Sequence, residues 1–101
     1  MNRRAAKIDG NQYDIVDALI AAGASVQTLA NVGFGCPDLL IGYRGINFLI
    51  EIKDPAQAPN KRRFNSHQKT WHALWKGKAH LVETVDQALL VVGAVKQGRA
   101  A

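Results

Sequence analysis

The 101-residue sequence holds a single cysteine, Cys36. An internal disulfide framework is therefore excluded, and a reducing, cytoplasmic setting is expected. No apolar run approaches the roughly 20 residues that a membrane-spanning helix needs. The start, Met-Asn-Arg-Arg, is basic but leads into AAKIDGNQYD rather than an apolar stretch, so a signal peptide is not expected. Internal repeats and low-complexity tracts are also missing. Acidic residues are scarce: 8 stand against 13 Lys and Arg, a formal net charge of +5. That surplus favours an acidic partner, nucleic acid first among them, although by itself it fits many small basic domains equally well.

What is present is ordinary globular material, 48% hydrophobic and 21% charged. The length is that of one domain, residues 1–101, with flexibility expected at 1–8 and 96–101. Between Asn11 and Ala22, Ile15, Val16, Leu19 and Ile20 recur at helical spacing. Gly23 is placed to stop this helix, and Asp9 or Asn11 to cap it. SVQTLA reads as a short strand and NVGFGCP as a loop. Asp38–Tyr43 and Asn47–Lys53 are strand-like runs joined at Arg44 and Gly45, a β-hairpin whose two apolar faces predict cover on both sides. After a Pro-containing loop, Ser66 is placed to cap a second helix running to about Trp75. AHLVET is a further strand, and Thr84 with Gln87 forms a capping box for a last helix to about Val92. This order predicts an α/β fold, a mixed central sheet flanked by helices.

Within the hairpin, Glu51 and Lys53 lie two apart and so share a face. Asp38 opens the preceding strand and is brought to the same end of the sheet. Two converging carboxylates repel each other unless a cation is present. Hard oxygen donors of this kind suit Mg²⁺ or Mn²⁺. A neighbouring lysine can orient or deprotonate a water, or stabilise charge on a phosphoryl transition state. The chemistry that follows is metal-assisted phosphodiester hydrolysis.

These residues carry a resemblance. CPD, with EIK following, resembles the PD-(D/E)xK nuclease signature. GCPDLLIGYRGINFLIEIK with SHQKTWHALWKG is similar to the VRR-Nuc branch of that superfamily, found in phage and bacterial replication and repair nucleases. The resemblance implies a restriction-endonuclease-like core and a metal-dependent DNA endonuclease, acting on branched, flap or four-way (Holliday) junction DNA and leaving 5′-phosphates. It further implies that Asp38, Glu51 and the backbone carbonyl of Ile52 are metal ligands, that Lys53 is the catalytic lysine, and that Gln68 supports phosphate or Lys53. The family carries an acid on the first helix; here the inward position on the helical wheel is Gln12, with Asp14 on the opposite face. One metal is therefore expected rather than two, with Gln12 a candidate site residue. Lys61, Arg62, Arg63, Arg44 and Lys69 are the candidate DNA contacts, and a homodimer is expected.

Each assignment has a structural counterpart. Asp38 is also a good turn residue after Pro37, and Glu51 with Lys53 a plain salt bridge. Gln12 and Gln68 are also suited to satisfying backbone groups, and the basic loop is also a solvated one. Trp71 and Trp75 read as core rather than base-stacking platforms. His67, His72 and His80 are not spaced to share a metal, and Cys36 has no positioned His partner. A non-catalytic nucleic-acid-binding module on the same fold is the rival function, favoured by the missing first-helix acid.

Overall fold

A two-residue turn organises the sheet. In the computed structural model Arg44 and Gly45 have φ of 51° and 83°, the pair of positive values that defines a type I′ hairpin. It pairs β2 (Leu39–Tyr43) with β3 (Ile46–Ile52), with Tyr43 opposite Ile46 and Leu39 opposite Ile50. Arginine gains nothing from this backbone conformation, whereas asparagine adopts it readily. Arg44→Asn is expected to relieve about 1 kcal/mol of backbone strain. It also loses the guanidinium stacked 5.1 Å from the Tyr43 ring centre, worth about 0.5 kcal/mol at an exposed position. The net gain, read by thermal denaturation, is roughly 2–4 °C.

Residues 10–95 are described; the expected flexible ends at 1–8 and 96–101, and Asp9 as a cap, lie outside them. The remaining elements are α1 (Asn11–Ala21), β1 (Ser25–Thr28), α2 (Ser66–Leu74), β4 (His80–Val82) and α3 (Val85–Val92), in the predicted order, with a short 3-10 turn at Pro59–Lys61. The strands form one mixed sheet ordered β1-β2-β3-β4, antiparallel except for the parallel β3–β4 pair. This is the expected α/β fold.

Strand alternation divides the sheet chemically. Leu39, Ile41, Ile50 and Ile52 point to one face and are buried against Ile15 and Leu19 of α1 and Ala88 and Val92 of α3. Leu40, Leu49, Glu51 and Lys53 belong to the other face. Only the first face is sealed. The second meets α2, which has no fully buried residue, so Leu40 and Leu49 remain half-buried. The expected cover is thus present on both sides but incomplete on this one. The core assignment of the tryptophans is corrected accordingly: Trp71 is half-buried and Trp75 is 47% exposed.

The caps also differ in detail. Asn65, not Ser66, caps α2, accepting from Gln68 N at 2.9 Å while Gln68 Oε1 accepts from Asn65 N at 2.9 Å. The residue ahead of the expected cap completes the reciprocal box because Gln68 then falls at its third helical position. Thr84 caps α3 as expected, but the Gln87 side chain reaches Glu83 N rather than closing on Thr84. Gly10 stands at the N-cap of α1 without a side-chain bond.

Candidate active site

The hairpin register places Asp38, one residue beyond Leu39, opposite Glu51, one beyond Ile50. Both therefore stand on the α2 face, and Lys53 joins them two residues further along. Glu51 and Lys53 are almost completely buried, at 2% and 7% exposure. Burial of charge is costly unless it is paired and hydrogen-bonded, and here both conditions are met. Lys53 Nζ lies 3.8 Å from Glu51 Oε2. Gln68 closes the set: its Oε1 accepts from Lys53 Nζ at 3.0 Å and its Nε2 donates to Glu51 Oε2 at 2.9 Å. The same Oε1 caps α2, so the helix start and the charged pair are locked to one amide. Phe64 places its ring 5.6 Å from the ammonium.

Asp38 is fixed from the other side, its Oδ2 accepting from Ile52 N at 2.7 Å. In a strand the N–H and C=O of one residue face the same neighbour, so the Ile52 carbonyl looks toward the side on which Asp38 stands. Lys53 N turns the opposite way and donates to Val82 O of β4. The strand end is held further by α1, where Asn11 Nδ2 donates to the carbonyls of Lys53 (3.1 Å) and Glu83 (2.9 Å). Asn11 thus ties β3 to β4 instead of capping a helix, a role that helical periodicity does not reveal. Asn65 is the other residue that sequence reasoning missed. The order N-x-x-Q before an apolar helix face was its signal.

The loop before Asp38 is pressed onto α2. Gly35, at φ 82°, lies so close that a Cβ there would fall 2.2 Å from the His67 carbonyl oxygen, which only glycine permits. Cys36, the next residue, has its thiol pushed above the ordinary range by burial and then by the charges of Glu51 and Asp38. It is a protonated neighbour of the carboxylates, with no thiolate character.

His72, one helical turn beyond Gln68, stacks on Phe64 with ring centres 4.4 Å apart. Its Nε2 is buried without a hydrogen-bond partner. Burial, then the charge of Lys53, lowers its pKa below the ordinary 6.5. A depressed histidine pKa means that the unfolded chain binds the proton more readily. This contribution is therefore complete above about pH 6.5 and is lost as pH falls toward the folded-state value. Urea midpoints measured from pH 7.5 down to 5.5 are expected to fall, and to fall less in His72→Phe.

A structure described as a VRR_NUC domain aligns with 81% of this chain and 89% of its own, with a TM-score of 0.58 and 25% sequence identity. The chain has a VRR-Nuc fold. No family model and no curated protein matches the sequence. The VRR-Nuc likeness makes this a nuclease-type domain with DNA as its implied partner.

On that VRR-Nuc scaffold the predicted site residues divide into three groups. Asp38, Glu51, Lys53 and Gln68 converge at one end of the β2–β3 pair, with the Ile52 peptide between them. Gln12 is buried at 5% exposure and Asp14 is exposed, as the helical wheel predicts. Gln12 follows Asn11 in the chain, and Asn11 holds the end of β3. Among the basic residues, Lys61 and Arg63 are exposed and Arg62 is half-buried in the segment that leads into α2, and Lys69 is exposed within α2 itself. Arg44 stands apart at the hairpin turn, about five residues and roughly 17 Å along the strands from Glu51.

Among the described residues no group of three or more His, Cys, Asp and Glu side chains is gathered to hold a metal. The donors at the site are two carboxylates beside a backbone carbonyl. That set fits Mg²⁺, which takes one or two carboxylates and keeps water and substrate phosphate as its other ligands. Among the described residues no helix is long and apolar enough to cross a membrane.

Proposed function

We propose that this domain is a Mg²⁺- or Mn²⁺-dependent DNA endonuclease. The observation that carries the reading is the single amide of Gln68 binding both Glu51 and Lys53, on the face where Asp38 stands opposite Glu51. A salt bridge built only for stability has no need of a second carboxylate on the same face, since like charges set opposite one another destabilise a sheet.

Asp38, Glu51 and the Ile52 carbonyl would hold the cation. When bound, it would lower the pKa of a coordinated water and draw charge from the phosphate. Lys53 has three ammonium protons, of which one is given to Gln68. The others are available to orient the attacking water and to neutralise charge as it builds on the phosphoryl oxygens. Gln68 holds that ammonium in position, and the hydrophobic β2–β3 pair keeps both carboxylates rigid. Attack forms a new P–O bond as the P–O3′ bond breaks, leaving a 5′-phosphate.

A domain of this size grips little DNA alone, so branched or four-way-junction DNA cut by a homodimer is the proposed setting. The test is nicking of flap, splayed-arm and four-way-junction DNA by the native chain in Mg²⁺ and Mn²⁺, with sedimentation to give the assembly. Cleavage in EDTA would overturn the mechanism.

One observation favours the rival, a binding module without catalysis: the inward position on α1 is the neutral Gln12. Gln12→Glu decides how far this matters. A side chain that reaches the metal is expected to tighten Mg²⁺ several-fold, measured by thermal shift against metal concentration. An unchanged titration would place Gln12 outside the site.

A further inference from the structure

The face of α2 next to the candidate site is aromatic and open. Gly33 to Cys36 forms a second tight turn, closed by Cys36 N to Gly33 O at 3.2 Å. Phe34 and Gly35 occupy its centre with φ of 56° and 82°. A bulky residue at the first of these positions is strained, and burial does not explain its presence, because Phe34 is 82% exposed. Its ring stands edge-on to His67, 6.3 Å between centres. Further along the helix Trp71 and Trp75 stack on each other at 4.7 Å and 15°. Phe34, His67, Thr70, Trp71, Leu74 and Trp75 enclose an open groove of about 380 Å³. Strain retained by an exposed ring marks a functional constraint rather than a packing one.

We propose that this groove seats an unpaired nucleobase of the DNA strand whose phosphate is presented to Asp38 and Glu51. The inference rests on the nuclease reading and narrows its substrate to DNA with a single-stranded segment beside the cut. Three observations select a base over other occupants. The groove is continuous with the site, since Trp71 follows Gln68 by three helical positions and so lies about 5–6 Å away along the same helix. A lining rich in aromatic rings suits a base, whose π-face stacks on aromatics irrespective of sequence. Exposed Lys69, Lys76 and Lys78 flank the aromatic segment, giving the positive rim that a polyanionic backbone follows.

The two tryptophans are the chain's only ones, so stacking can be read directly by their fluorescence. The native protein is titrated in EDTA, where the proposed cleavage is off, with oligo-thymidylate, with blunt duplex and with inorganic polyphosphate. Quenching by oligo-thymidylate that exceeds the other two is the expected result. Phe34→Ala and Trp75→Ala are expected to weaken single-strand binding about five- to hundredfold. Phe34→Asn, which suits the turn, should raise the melting temperature while losing the same affinity, and this separates a binding defect from a folding one. Equal quenching by duplex or polyphosphate would overturn the proposal. So would a fluorescence that follows protein concentration alone, the sign of a second copy in the groove. Cleavage without base-dependent quenching sinks this inference and spares the nuclease reading; quenching without cleavage does the reverse.

Discussion

Asp38→Asn is expected to slow DNA cleavage by at least about a hundredfold, the scale on which a directly stabilising group is lost, while leaving the metal-free fold at least as stable as the native one. The two effects separate because the amide oxygen can still accept from Ile52 N, the bond that now measures 2.7 Å, whereas the charge is gone. In the native chain without metal, Asp38 and Glu51 stand opposite one another with Lys53 as the neighbouring cation. Removing one carboxylate balances the remaining pair. Metal reverses the order: a cation at a hundred times its dissociation constant stabilises by about 2.7 kcal/mol, and this gain belongs to the native chain alone. Melting curves in EDTA and in Mg²⁺, with nicking rates alongside, measure all three effects. Full activity in Asp38→Asn would sink the metal mechanism. Lys53→Met is a less clean probe, since it leaves the buried Glu51 without the ammonium and costs about 3–5 kcal/mol of stability.

The hairpin is the part of the fold that the sequence states most directly. A two-residue turn at Arg44 and Gly45 sets the register, the register sets Asp38 against Glu51, and alternation adds Lys53 to their face. Gln68 was legible for a related reason, a polar position inside a helical aromatic stripe. The exposure of that stripe was not. Periodicity tells which residues of a helix share a face, but not whether another element covers it, and for Trp71 and Trp75 none does fully. The same limit applies to Asn11, whose contacts with Lys53 and Glu83 span 42 and 72 residues of sequence. Phe34 illustrates the complementary case. GFG reads simply as a loop, and its meaning emerges only when both central residues take positive φ and the ring is left in solvent.

Gln68→Glu is the substitution in which structure and chemistry pull hardest against each other. The change retains the oxygen that accepts from Lys53 Nζ and Asn65 N, so the cap and the lysine contact survive. It removes the N–H that now donates to Glu51 Oε2 at 2.9 Å and sets a second carboxylate there. Two carboxylates at that distance cannot both ionise cheaply, so the introduced group is held protonated to a pH above its ordinary value of about 4.3. A folded-state pKa raised in this way stabilises below the unfolded pKa and ceases to do so as pH rises through the folded value. The variant should therefore approach native stability near pH 4 and fall below it by about 2–4 kcal/mol at pH 7, the loss associated with a broken buried charged hydrogen bond. Mg²⁺ should recover part of that deficit at pH 7, because a third nearby carboxylate strengthens the field that holds a cation. Chemical denaturation at the two pH values, with and without Mg²⁺, measures each step. Native stability at pH 7 would show that Gln68 matters as a helix cap alone, since the substitution keeps the cap, and its amide would then have no part in holding Lys53 against Glu51.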